Sequence, residues 1–204
     1  MSPGLHATVE ARRLSLSDGG AVRLVLPLDE GGRHRLVAAD PATAQRVVEA
    51  LERCPGVGVL PGDGGLLGAM TVAENFALAL RYDADPDDPR AGEGDLGTAL
   101  QLCGLAAQRI AALGRERPMN LERTERWTLG FARCLLRPPG LLVIDRLSAG
   151  LARRQADALV AVEAVYHRRY PFRPVLFIDL DGHELPELPD CRTLTRLAEP
   201  AENL

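Results

Sequence analysis

Two short stretches, Leu141 to Ile144 (LLVI) and Val175 to Ile178 (VLFI), are apolar at every position. A strand with one wet face alternates between apolar and polar residues, whereas an unbroken apolar run suits a parallel strand covered on both faces. Helix signals lie between such runs. Asp40-Pro41 precedes Ala42 to Arg53, placing a capping carboxylate before a proline at the first helical position. Thr71 and Glu74 have capping-box spacing at the start of a helix running to Leu80. Trp127, Phe131 and Leu135 recur every four residues, and Leu151, Leu159, Val162 and Tyr166 form a second stripe. Strands alternating with helices imply an α/β fold with a mostly parallel sheet.

Further strands are expected at His6 to Leu16, Ala21 to Leu28, Arg35 to Ala39 and Val57 to Leu60, with a turn at Ser17 to Gly20. Asp83 to Pro89 (DADPDDP), followed by AGEGD, combines prolines with clustered acids and reads as an exposed loop. Ala198 to Leu204 reads as a frayed tail. The chain has 204 residues, enough for one domain with a sizeable core. Its formal net charge of -4 gives no basic excess for nucleic acid. The four cysteines, Cys54, Cys103, Cys134 and Cys191, form no CxxC pair, so no metal site is expected and they read as small buried hydrophobes. No apolar run approaches the length of a membrane span, and the N-terminus lacks a signal-peptide core, so no direct membrane insertion is expected.

The stretch RPMNLERTERWTLGFARCLLRPPGLLVIDRLSAGLA, Arg117 to Ala152, resembles the core of ABC-transporter ATP-binding subunits. Ala132-Arg133-Cys134-Leu135 is similar to the end of the family's signature helix. Pro138 to Asp145 resembles its Walker B strand, and Ser148-Ala149-Gly150-Leu151 the start of its D-loop. Upstream, VGVLPGDGGLLGAMTVAENFALAL, Val57 to Leu80, resembles the Q-loop strand and the following T-V-x-E-N phrase. That phrase is closest to bacterial MCE-associated lipid-asymmetry and toluene-tolerance ATPases. Val175 to Asp181, then Pro189 to Arg192, resembles the H-loop strand and its sequel.

The resemblance implies a P-loop NTPase-like core over 1–62 and 138–197. It also implies a reduced antiparallel β subdomain and a helical subdomain over about 63–137, with the acidic loop at 83–95. It further implies a set of departures. Where a phosphate-binding loop needs glycines and a lysine, this chain has Ala38-Ala39-Asp40-Pro41-Ala42-Thr43-Ala44-Gln45, with Ala44 at the lysine position. Asp40 should cap the helix itself and Pro41 removes an N–H donor. The Q-loop glutamine is Pro61, and the signature is Leu121-Glu122-Arg123-Thr124-Glu125, where Glu122, Arg123 and Thr124 should block a phosphate, the alternative being a solvated helix start with acids favourable at its N-terminus. Asp145 survives from Walker B, but the expected general base is Arg146, which does not release a proton near neutrality. The D-loop aspartate is Ala152 and the H-loop histidine is Leu180, with His183 three residues on. Arg12 and Arg13 stand where an adenine-stacking aromatic is usual. Asp145 is expected to serve an internal ion pair or hydrogen bond, and Arg146 to pair with acids such as Asp40, Asp179 or Asp181.

Three functions follow as expectations. The first is a pseudo-ATPase needing no cofactor, a structural or regulatory partner of a membrane transport system. It would be cytoplasmic, peripheral at the inner membrane, and docked on a membrane subunit, an intact ATPase or itself. Leu66, Leu67, Met70 and Phe76 are its candidate docking residues, with a core role for them the alternative. The second is a divergent but active ATPase using ATP and Mg. The third is a homodimeric scaffold unrelated to transport.

Overall fold

The computed structural model describes residues 4–82, 96–147, 151–182 and 191–197. The acidic loop at 83–95, Ser148 to Gly150, His183, Pro189-Asp190 and the tail from Ala198 lie outside these residues.

Strands β1 (His6–Glu10), β2 (Arg13–Asp18) and β3 (Ala21–Pro27) form an antiparallel sheet in that order. Strands β4 (Arg33–Ala38), β5 (Val57–Pro61), β6 (Leu141–Asp145), β7 (Val175–Leu180) and β8 (Cys191–Leu197) form a five-stranded parallel sheet, ordered β5-β6-β7-β4-β8. The helices are α1 (Pro41–Glu52), α2 (Val72–Tyr82), α3 (Leu96–Leu102), α4 (Ala107–Leu113), α5 (Arg123–Leu136) and α6 (Arg153–Arg169). The α/β fold with a parallel sheet, an antiparallel sheet and a helical layer is as the sequence implies.

The apolar runs divide by strand periodicity. Leu142, Ile144, Val175 and Phe177 face a core built with α2, α3, α5 and α6. Leu141, Val143, Leu176 and Ile178 face the opposite core, shared with α1 and the antiparallel sheet. Trp127 and Phe131 stack at 5.2 Å between ring centroids, and Leu135 is buried with them, so the predicted stripe is the buried face of α5. Leu151 precedes α6 rather than lying on it. Pro61 ends β5 at the sheet edge, where a missing N–H is tolerated. Cys103 and Cys54 are buried, and burial pushes the Cys103 thiol up to about 12.

Two expectations need correction. His6 to Leu16 is not one strand: the chain reverses at Ala11 and Arg12, with φ of 45° and 62°. Two-residue hairpin loops of type I′ have positive φ at both central residues and usually advertise it with Asn-Gly. Ala-Arg carries no such signal, and its strain is held by the full β1–β2 register and by Arg12 pairing with Glu30 at 3.1 Å. Strand β8 was not expected either; it completes the sheet by pairing parallel to β4.

Candidate functional site

The carboxyl ends of β4, β5, β6 and β7 meet the N-terminus of α1, the place where open parallel sheets present ligand sites. Asp40 sits there in extended conformation (φ −152°, ψ 165°) as the N-cap. Its Oδ1 accepts from the backbone N–H of Ala42 at 2.7 Å and of Thr43 at 2.9 Å. Its Oδ2 accepts from the Thr43 hydroxyl at 2.5 Å. The helix N-terminus, a ready anion site in general, here carries its own anion. Ala44 is fully buried and contributes only a methyl group.

Arg146 follows β6 with φ of 46°, a left-handed conformation uncommon for a residue with a side chain. Its N–H donates to the Ile178 carbonyl at 2.8 Å, and the side chain turns back. Nε donates to Asp145 Oδ1 and Nη2 to Asp145 Oδ2, both at 2.7 Å, and Nη2 also donates to Gln45 Oε1 at 2.9 Å. An arginine is protonated throughout the physiological range, and the hydrogen bonds from the guanidinium to Asp145 raise its pKa further. This corrects the expected partners Asp40, Asp179 and Asp181: Arg146 pairs with the adjacent Asp145, and Asp179 pairs with Arg35 at 3.1 Å across β7 and β4. Neighbouring side chains in an extended strand point to opposite faces, so a pair between Asp145 and Arg146 leaves no signal in the sequence. The left-handed turn at Arg146 makes the pair possible.

Magnesium requires oxygen ligands and a triphosphate requires N–H donors or cations facing it. Both Asp145 oxygens face a guanidinium, and the α1 N–H groups at 42 and 43 face the Asp40 carboxylate. As placed, these groups do not suit magnesium with a triphosphate.

The segment after Pro61 is pressed onto α5. Gly64 donates to the Pro61 carbonyl at 2.9 Å. Arg123 Nε donates to the Gly62 carbonyl at 2.9 Å, and Arg133 Nη2 to those of Gly64 and Gly65 at 3.1 and 2.9 Å. Arg123, expected to obstruct an incoming phosphate, is therefore turned onto its own chain. Leu121 is buried, and Glu122 caps α5 without a side-chain bond. Thr124 lies partly buried on the first turn of α5. Glu125 accepts from Arg109 at 2.6 and 3.0 Å, and Arg109 also reaches Glu116 at 2.6 Å.

The Arg109 guanidinium holds the Glu125 carboxyl below the ordinary range. A carboxyl lowered on folding adds stability above its unfolded pKa of about 4.3, and that contribution disappears as pH falls through the folded value. Arg109→Ala should thus lower stability slightly at neutral pH and flatten the acid limb below about pH 4.3. Urea unfolding at pH 7 and pH 3 measures both; an unchanged pH dependence would mean the pair contributes nothing.

Leu180 ends β7, partly buried against the α1-side core. Of the docking candidates, Leu67 is 49% exposed, Met70 is half-buried, and Leu66 packs on the helical core. Phe76 is buried and is a core residue, which corrects its place among them. It shares the inner stripe of α2 with Val72, so its helical spacing already signalled burial. A polar residue on that stripe, Asn75, escaped attention. It is 2% exposed and bonded throughout to the loop before α2.

No family model matches the chain. A methionine import ATP-binding protein, MetN 2 of Burkholderia mallei, is 32% identical over 151 residues, covering 72% of this chain and 36% of that protein. A molybdenum import ATP-binding protein, ModC of Pseudomonas fluorescens, is 27% identical over 172 residues, covering 83% of this chain and 45% of that protein. The chain thus spans less than half the length of either relative. Among solved structures, cbiO1 of Clostridium perfringens, part of the ABC transporter complex cbiONQ, superposes with a TM-score of 0.61 at 12% identity, over 89% of this chain and 80% of that one. The ATP-binding cassette MJ0796, in a dimeric post-hydrolysis state with ADP and Pi, superposes with a TM-score of 0.59 at 11% identity, over 96% and 92%.

Proposed function

We propose that this chain, a relative of the ATP-binding domains of ABC transporters in sequence and in fold, acts in a transport system as a structural or regulatory subunit that does not turn over ATP. One observation carries the reading: Asp145 and the α1 N-terminus are each occupied by a charge of the chain itself, Arg146 and Asp40. No GxxxxGK[ST] sequence occurs, and Arg146 stands where a general base would. The subunit would work from the cytoplasmic side, peripheral to a membrane complex. It would use 63–137 as its helical subdomain and present Leu67, with Leu66 and Met70 beside it, to a membrane subunit. The T-V-x-E-N phrase at 71–75 supports a lipid transport system as the setting.

A second reading, a divergent ATPase, is favoured by the relatives' names as import ATP-binding proteins. A thermal-shift titration with Mg-ATP separates the two. A ligand at a hundred times its Kd stabilises a fold by about 2.7 kcal/mol, a rise of several degrees in Tm for a domain of this size. The expected result is no rise at millimolar Mg-ATP. A saturable rise would overturn the proposal and leave an ATP-binding subunit.

A further inference from the structure

The loop that carries Leu67 runs from Gly62 to Thr71 and contains four glycines, at 62, 64, 65 and 68. Such a segment, left alone, would sample many conformations. Its first part is held by Arg123 and Arg133. Its second part ends in the Thr71–Glu74 capping box, and between Leu67 and Met70 it is held by one side chain. Asn75, in the second turn of α2, reaches back over the helix N-terminus. Its Oδ1 accepts from the Leu67 N–H at 2.7 Å, and its Nδ2 donates to the carbonyls of Leu67 at 3.1 Å, Thr71 at 2.9 Å and Met70 at 3.4 Å. The Leu67 N–H can meet only an oxygen, so the orientation of the amide follows from its partners. A second closure, Met70 N–H to the Leu67 carbonyl at 3.1 Å, folds the same segment.

A buried amide is costly unless satisfied, so a buried asparagine whose bonds all go to one loop has a specific task. It is absent from the core's needs: Val72 and Phe76 beside it already fill the apolar interface. What it supplies is shape. We propose that Asn75 is the positioning residue of the docking loop, holding Leu67 outward in the conformation a membrane subunit meets. The entropy of ordering the loop is then spent on folding rather than on association. This rests on the docking reading above, but the residue's action on the loop can be measured without any partner.

Hydrogen exchange on the intact chain tests it. The Leu67 amide should be protected in the native chain and lose protection about tenfold or more in Asn75→Leu. Asn75→Asp keeps an oxygen for the Leu67 N–H but loses the donors, and should fall between. Amides of β6 report whether the fold survives; should Asn75→Leu not fold, the native chain and Asn75→Asp decide. The second arm uses a transporter membrane subunit co-expressed with the chain. Its co-purification should fall in Asn75→Asp and recover when Gly68→Ala is added, because a methyl at 68 meets open space and only restricts the loop. Damage to the core would not be rescued in this way. An unprotected Leu67 amide in the native chain, or protection unchanged in both variants, overturns the role of Asn75, as does failure of Gly68→Ala to rescue. Co-purification that survives Leu67→Asp overturns the docking reading while leaving the exchange result standing.

Discussion

Gly130→Ala is expected to destabilise the domain by about 3 kcal/mol, against the roughly 1 kcal/mol gain that alanine brings to an exposed helix interior. The residue lies in the middle of α5, and a Cβ there would press into the carbonyl oxygen of Gly64 and come within 2.8 Å of Leu60 Cδ1. The obstacle is backbone, not the movable tip of a side chain. That backbone is itself pinned by Arg133, which donates to the Gly64 carbonyl. Gly64→Ala should cost as much or more. Its φ is 90°, where a side chain is strained, and the added methyl would meet the Arg126 carbonyl. Urea unfolding of each variant measures the effect. A Gly130→Ala domain as stable as the parent would mean that the post-β5 loop does not rest on α5. The same contact explains why Pro61 to Gly65 behaves as part of the α5 interface rather than as a free connector.

Arg146→Ala is expected to cost about 3 kcal/mol, the lower end for removing one partner of a buried ion pair, because the guanidinium retains some solvent. Asp145 is 4% exposed, and its carboxyl would be left without its partner among apolar neighbours of the sheet. The carboxylate, not the lost contact, is the main source of the loss. Adding Asp145→Asn to Arg146→Ala should therefore recover part of it, and the double-mutant cycle should show a coupling of 1 kcal/mol or more in magnitude, on the order of that seen for residues in one network. Gln45→Ala should have a smaller effect, since it removes a neutral partner at the edge of the pair. Additive effects of the Asp145 and Arg146 changes would show that the two side chains do not act as a unit. The proposed function would then lose its main support.

Both predictions concern contacts that the amino-acid order does not announce, and the reason is the same in each. Periodicity, capping and apolar runs act over a few residues, so they were legible. The Asp40 cap, the Thr71–Glu74 capping box, the α5 stripe and the parallel strands all stand where the sequence puts them. The 38–45 stretch was equally readable as a local self-capping turn. The side chain opposite each site was not readable. Whether Arg146 would choose Asp145 over acids on other strands depends on its left-handed backbone and on the Ile178 carbonyl that holds it.

Burial was equally a tertiary decision. Leu66, Leu67, Met70 and Phe76 look alike as apolar residues around one turn, yet only Leu67 is widely exposed, because α2 turns Phe76 into the core. The hairpin at Ala11-Arg12 has no turn residues to reveal it and exists because β1 and β2 pair along their whole length. Local physics thus selected the elements and sealed the helix N-terminus. Long-range packing alone decided which carbonyl each arginine meets, which glycine admits a neighbouring backbone and which leucine faces solvent, because those depend on distances that only the closed fold establishes.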